Sequence, residues 1–383
     1  MDITSIYLAI EDPRRDLGKK YSLESILFIA TAAAIGGADS WNEVEAFGRH
    51  KEAFFRKHCP NYSGTPSHDT FNRVFSILSP SALEEAFRNW IADICGRYTG
   101  VVAIDGKELC GAASDRKDGS FEPLRMVSAW ATENGVSMGQ VRVAGKSNEI
   151  TAIPELVKAL DLEGCLVTID AIGCQKKVIS EIRKAKADFL ICVKSNQKKL
   201  YTTLTDWFDS ENGMSMPHKH VPPTRLQSYV TEECGHGRTD RRECQVYSVP
   251  RLGKILGWED VNAIVRIKKD TTYAKSGRKT SEIRYFVTSL SLQPRKIAEA
   301  ARAHWRIENN LHWQLDVSFS EDADRKKKAA QNFSLIRKIA LTVLKADNSK
   351  ASLVRKRKMA GWDDAFLEQL MKGVANAFSK EEV

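Results

Sequence analysis

The sequence predicts an α/β protein in which helices flank a mixed sheet, and three observations predict it. Short apolar runs, Val101-Val102-Ala103-Ile104, Cys165 to Ile169 and Phe189 to Lys194, read as strands buried on both faces. Stretches of helical period separate them over residues 99 to 210. Two of the runs close on an acid with glycine after it, Asp105-Gly106 and Asp170-Ala171-Ile172-Gly173. In open α/β sheets ligands bind beyond the carboxyl ends of strands, so these two carboxylates are the first candidates for chemistry.

The bulk numbers set bounds. A chain of 383 residues has room for two or three domains and a sizeable core. With 28% charged and 42% hydrophobic residues it reads as an ordinary soluble protein. The longest apolar stretch, Ile26 to Ala38, is too short to span a bilayer. No basic region followed by an apolar segment opens the chain, so no membrane and a cytoplasmic, nucleoid-associated location are expected. The eight cysteines form no C-x-x-C pair, which argues against a disulfide framework or structural zinc. Net charge is +9 but uneven: Arg325 to Lys358 holds twelve Lys or Arg against Asp347 alone. Concentrated positive charge is the footprint of a phosphate backbone, a solvated helical face or an anionic lipid surface being the alternatives. Without a lipid anchor, nucleic acid is favoured.

Residues 1–96 read as a helical domain. Ser22 precedes the apolar Leu23 to Ile35, stopped by Gly36-Gly37, and Ser40 with Glu43 forms a capping box opening a helix to about Lys57. Ser67 caps a helix bearing Phe71, Val74 and Phe75, and Pro80 takes the first position of the next. Two short capped helices joined tightly suit a helix-turn-helix or a plain bundle. From 97 to 210 come the Asp105 strand, a hairpin turning at Glu133-Asn134-Gly135, a helix from Glu149 to Leu160, and the Asp170 strand. A helix from Gln175 to Lys186, the Phe189 strand and a helix toward Phe208 complete the segment. That order is the order of a ribonuclease-H-like core with a mixed five-stranded sheet, whose first and fourth strands are neighbours. Residues 211–292 turn to Asn212-Gly213, Pro217 and Pro222-Pro223 and then to four strands, a β-rich insertion. Residues 293–346 complete the core with a helix from Arg295 to about Trp313 and a basic helix, and 347–383 form a basic helical end.

Asp105 and Asp170 on adjacent strands, about 4.8 Å apart, repel unless a cation lies between them. Either one alone is explained by a turn, where Asp is common. Glu308 and His312 share a helix face one turn apart, so Glu308 facing the sheet edge completes three carboxylates. Such a set suits two Mg²⁺ or Mn²⁺ ions clamping an in-line displacement at phosphorus, with Asp105 as the bridging ligand.

Asp105 in Ala-Ile-Asp-Gly-Lys, Asp170 in Thr-Ile-Asp-Ala, and Glu308 in His-Trp-Arg-Ile-Glu-Asn-Asn-Leu-His-Trp together resemble the H-repeat-associated transposases, insertion-sequence enzymes with an Asp-Asp-Glu triad. Lys146 to Ile150, Val193 to Gln197 and Leu315 to Phe319 match the same pattern, and the likeness spans nearly the whole chain. The resemblance implies metal-dependent cleavage and strand transfer at terminal inverted repeats. It implies Asp105, Asp170 and Glu308 as metal ligands, double-stranded DNA as partner, and a homodimer on DNA. Expected DNA contacts are Lys107, Lys194, Arg238, Arg241, His304, Arg306, Lys326, Lys327 and Lys328. In many related transposases Tyr, Arg and Lys stand seven before, four before and seven after the glutamate; here those positions hold Ala301, His304 and Leu315. Two rivals remain: a zinc hydrolase built on Glu308 and His312, and a catalytically silent, transposase-derived DNA-binding protein.

Overall fold

A computed structural model describes residues 3–15, 19–59, 61–115, 121–144, 148–209, 226–249 and 257–378. The turn-formers expected at Asn212-Gly213, Pro217 and Pro222-Pro223, and the pair Lys146-Ser147, lie outside the described residues. In chain order the helices of the first part are α1 (Ser5–Leu8), α2 (Leu23–Ile35), α3 (Trp41–His50), α4 (Glu52–His58), α5 (His68–Ile77) and α6 (Pro80–Cys95). Next come β1 (Val101–Asp115), β2 (Phe121–Ala131), β3 (Val136–Arg142), α7 (Glu149–Ala159), β4 (Leu166–Ile169), α8 (Lys176–Lys184), β5 (Asp188–Val193) and α9 (Lys198–Asp209). Strands β6 (Leu226–Gly235), β7 (Arg238–Ser248), β8 (Ala263–Tyr273) and β9 (Lys279–Thr288) follow. The chain ends in α10 (Pro294–His304), α11 (Trp313–Phe319), α12 (Ala330–Ala346), α13 (Leu353–Trp362) and α14 (Asp364–Ala377). It forms two compact units, one of Met1–Tyr98, Gly106–Lys146 and Glu308–Val383, the other of Thr99–Asp105 and Ser147–Ile307.

The first unit is built around α2 and α12. Every residue of α2 except Glu24 is buried, as its unbroken apolar sequence requires. Ser22 accepts the Ser25 N–H to cap it. Phe333 of α12 meets Trp41, which stacks with Phe71 and lies 4.8 Å from Phe75, centroid to centroid. The Ser40–Glu43 capping box forms as the sequence indicates. The expected single helix to Lys57 is two, because the chain turns at Lys51, whose ammonium pairs with Asp364. β2 and β3 form the antiparallel hairpin, turned by Gly135 at φ +68. β1 from Gly106 onward lies beside β2, and Leu109, Ala112, Leu124, Met126 and Ala330 share a core cluster.

The run at Val101 does not stop at Asp105, as Gly106 suggested; it is one strand to Asp115. What ends after Ile104 is its parallel pairing with β4, while the other edge continues beside β2. A glycine flanked by a paired neighbour stays extended.

In the second unit the strand order is β1-β4-β5-β9-β8-β7-β6. β1, β4 and β5 are parallel, β9 runs antiparallel to β5, and antiparallel hairpins lead out to β6. The β-rich insertion therefore continues the sheet that carries β1, β4 and β5. Leu190 pairs with Thr288 and Val193 with Tyr285, so β9 satisfies the backbone edge that β5 would otherwise expose. His236 (φ +51) and Gly237 (φ +71) supply the left-handed pair of a tight hairpin turn. α10 lays Ile297 and Ala300 against Leu166, Leu190, Cys244, Val246, Ala263 and Val265.

The continuous helix expected from Arg295 to Trp313 is also interrupted. α10 ends at His304, and in the other unit Glu308–His312 is a π-helical turn leading into α11. π-turns replace i→i+4 bonding by i→i+5 and recur at functional sites. Among the described residues no helix is long and apolar enough to cross a membrane.

Candidate active site

Register decides where the two aspartates go. Val101 to Ile104 pair in parallel with Leu166 to Ile169, residue for residue. Asp105 and Asp170 are the next positions, Asp105 within β1 where its pairing with β4 stops and Asp170 just past the end of β4, and both are half-buried. Neighbouring strands are about 4.8 Å apart, so two carboxylates share one sheet edge within the second unit. Asp170 also does what an isolated turn aspartate does: Oδ1 accepts the Ile172 N–H at 3.0 Å, capping the single turn Ala171–Gly173. Its second oxygen makes no hydrogen bond among the described residues.

Residues around this edge that sequence reasoning left without a role hold it in place. Thr168 Oγ1, one turn of the pleat before Asp170, meets His304 Nδ1 at 3.1 Å and the Val102 carbonyl at 3.5 Å. One hydroxyl thus joins α10 to both aspartate-bearing strands. Asn196 Nδ2 donates to the Ala171 carbonyl at 2.7 Å, and Gln197 Nε2 to that of Cys174 at 2.8 Å. The Ser-Asn-Gln stretch after β5 therefore clamps the turn behind Asp170. An amide pair immediately past a buried strand was the visible signal. His304, expected at phosphate, points at this network instead. Burial pulls its imidazole below the ordinary histidine range, against the opposing pull of Asp105 and Asp170.

Glu308 opens the π-helical turn of the first unit and is exposed. Its carboxylate and the buried His312 imidazole offer ligand atoms within 4.8 Å of one another. Carboxylate oxygens are hard donors of the kind that hold a divalent cation.

The expected DNA contacts divide in two. Lys194, Arg238, Arg241, Arg306, Lys327 and Lys328 are exposed, although Arg238 and Arg241 lie beside Asp240 and Glu243. Lys107 and Lys326 are not open surface cations. Lys107 pairs with Asp316 and Glu321, and its side chain is 11% exposed. Lys326 donates to Asp324 at 3.1 Å and to the Asp39 carbonyl at 2.6 Å. The basic stretch as a whole is less of a surface than its charge suggested. Arg337 pairs with Asp324 at 2.6 Å, Lys338 reaches Gln140, Lys356 the Leu344 carbonyl, and Arg357 the carbonyls of Ala34 and Ser318. A charge count along the chain sees the cations and misses acceptors that come from elsewhere. Trp305 is 50% exposed with the Arg284 guanidinium 4.6 Å from its ring centroid, while Ile307 is buried.

Two family models match the chain, "DDE_Tnp_1-associated" over residues 6–91 and "Transposase DDE domain" over residues 99–344. The chain is 37% identical over 386 residues to "Putative transposase YncI" of Escherichia coli O157:H7, covering 97% of this chain and 95% of that one. It is 35% identical over 373 residues to "H repeat-associated putative transposase YhhI" of Escherichia coli (strain K12), covering 95% and 96%. Among solved structures, the piggyBac transposase synaptic complex with hairpin DNA matches at TM-score 0.39 and 12% identity, over 100% of this chain and 82% of that one. Nothing about fold or function follows from a likeness that low.

Proposed function

The chain belongs to the family of DDE-domain transposases, and from that premise we propose that it cleaves the terminal inverted repeats of an insertion sequence and transfers the freed strand to target DNA. The observation that supports this reading is the β1–β4 register, which pairs Ile104 with Ile169, the residues just before Asp105 and Asp170. Asp105, Asp170 and Glu308 are the proposed metal ligands. The strand sequence β3-β2-β1 in one unit and β1-β4-β5 in the other agrees with a ribonuclease-H-like core over 97–210 and 293–346. Residues 1–96 and the exposed cations Lys327 and Lys328 are proposed to grip the DNA, 211–292 to extend the core sheet, and 347–383 to close the helical part. The working form is proposed to be a homodimer, since two DNA ends are brought together.

Bound at the three carboxylates, a pair of Mg²⁺ or Mn²⁺ ions supplies activation of the attacking oxygen and charge neutralisation at the leaving one. The protein's part is positioning. Thr168 ties the two aspartate strands to α10, Asn196 fixes the turn after Asp170, and exposed lysines and arginines hold the phosphodiester backbone.

The test is cleavage of a duplex carrying the element's terminal repeat, with and without Mg²⁺. Wild type cleaves only with the ion; Asp105→Asn and Glu308→Gln lose cleavage by about a hundredfold or more while binding the duplex as before. Cleavage that survives Asp105→Asn contradicts the reading.

A further inference from the structure

We infer that Lys107 is a positioning residue, which bolts the helical turn carrying Glu308 to strand β1. The inference rests on the assignment of Glu308 as a metal ligand and deepens it. Lys107 stands two residues after Asp105 in Ile-Asp-Gly-Lys, where a basic side chain near a catalytic aspartate reads as a DNA contact. Its surroundings say otherwise. Nζ donates to the His312 carbonyl at 3.4 Å, to Glu321 Oε2 at 3.1 Å and to Asp316 Oδ1. An ammonium has three donors, and here there are three acceptors, leaving none for a phosphate.

The three acceptors are spread along one stretch of chain. His312 is the last residue of the π-helical turn that Glu308 begins, Asp316 lies in α11, and Glu321 starts the short turn Glu321–Ala323. A single lysine therefore grips both ends of the segment that follows Glu308. The same strand makes two more attachments to it. The Cys110 N–H donates to Asp322 Oδ1 at 3.1 Å. Gly111 comes so close that a Cβ there would lie 2.5 Å from the Asp322 carbonyl oxygen. Beyond them Asp324 is fixed by Arg337 and Lys326. The sequence signal Leu315-Asp316-Val317-Ser318-Phe319, otherwise unexplained, supplies Asp316 to this attachment, and Glu321 and Asp322 complete its acceptor side.

The role also accounts for lysine at this position. Glu321 is 1% exposed, and a buried carboxylate without its cation is strongly disfavoured. A planar guanidinium would not aim three N–H groups at a carbonyl and two carboxylates on different turns.

The experiment compares wild type, Lys107→Met and Asp316→Asn in the full chain by amide hydrogen exchange, terminal-repeat binding at several salt concentrations, and the Mg²⁺ dependence of cleavage. Asp316 is 37% exposed, so its variant tests the attachment without removing the buried lysine. The expected result is exchange at residues 308–320 about tenfold faster in both variants, with DNA affinity and its salt slope unchanged. The Mg²⁺ concentration for half-maximal cleavage rises about tenfold, as outer-shell losses do at metal sites. Unchanged exchange over 308–320 overturns the inference, and so does a flattened salt slope in Lys107→Met, which makes Lys107 a phosphate contact. If wild type itself cleaves nothing with Mg²⁺, the metal-site reading has failed, while the exchange result still decides whether Lys107 anchors the turn.

Discussion

Replacing Gly111 by alanine tests the close attachment of β1 to the 321–324 turn. Gly111 is not among the residues with positive φ, so alanine meets no backbone objection. The obstacle is the neighbouring chain: a Cβ would lie 2.5 Å from the Asp322 oxygen, 2.8 Å from the Asp324 oxygen and 2.9 Å from the Ala323 carbonyl carbon. All three are backbone atoms of one turn, which must retreat by about half an ångström or more to admit a methyl group. It has little freedom to do so, because the Asp324 side chain is fully buried and held by Arg337 at 2.6 Å and Lys326 at 3.1 Å. Overpacking costs about 1–3 kcal/mol, and loosening a buried ion pair adds to that, so a loss near 3 kcal/mol is expected. Gly235→Ala is the control, with nothing within 4 Å of its Cβ and an expected change within about 0.5 kcal/mol. Urea unfolding reads the difference as a lower midpoint at unchanged slope. A Gly111→Ala protein within about 0.5 kcal/mol of wild type would refute the tight-contact reasoning.

Two further outcomes follow from the buried charges. Burial alone would raise Glu321, but Lys338, Lys107 and Arg337 hold its carboxyl at about 2, below the ordinary 4.5. A depressed folded value contributes stability above the unfolded one, so the gap in melting temperature between wild type and Glu321→Gln should be full above about pH 5 and close between pH 4.5 and 2. A gap that does not vary over that range contradicts the assignment. Neutralising the exposed Lys327 and Lys328 should reduce the salt slope of DNA binding by about one to two. Lys326→Gln, removing a cation held by Asp324, should lower stability and leave the slope alone; equal effects on the slope would place Lys326 at the DNA.

Local signals were legible in the sequence where a residue's neighbours along the chain determine its conformation. Ser22, Ser40 with Glu43, and Ser67 cap the helices they announce, and Glu133-Asn134-Gly135 turns the hairpin. Strands β1, β4 and β5 showed as apolar runs, and their order put Asp105 beside Asp170. Features set by distant partners were not legible. β9 docks on β5 across about ninety residues, and nothing in either strand announces the pairing. Gly106 reads as a breaker until β2 is seen to run alongside. Lys338 and Arg357 read as surface charge because their acceptors, Gln140 and the Ala34 carbonyl, lie far away along the chain. The same blindness hid the acceptors of Lys107, the carboxylates of Asp316 and Glu321.

On the proposed reading Asp105 and Asp170 act as a pair, and Mn²⁺ binding to the metal-free chain measures that directly. Titration of wild type, Asp105→Asn and Asp170→Asn, followed by the paramagnetic signal of the free ion, should show affinity falling about tenfold or more in each variant. An Asp170→Asn protein that binds Mn²⁺ as tightly as wild type would leave Asp170 as the cap of the Ala171–Gly173 turn and nothing more.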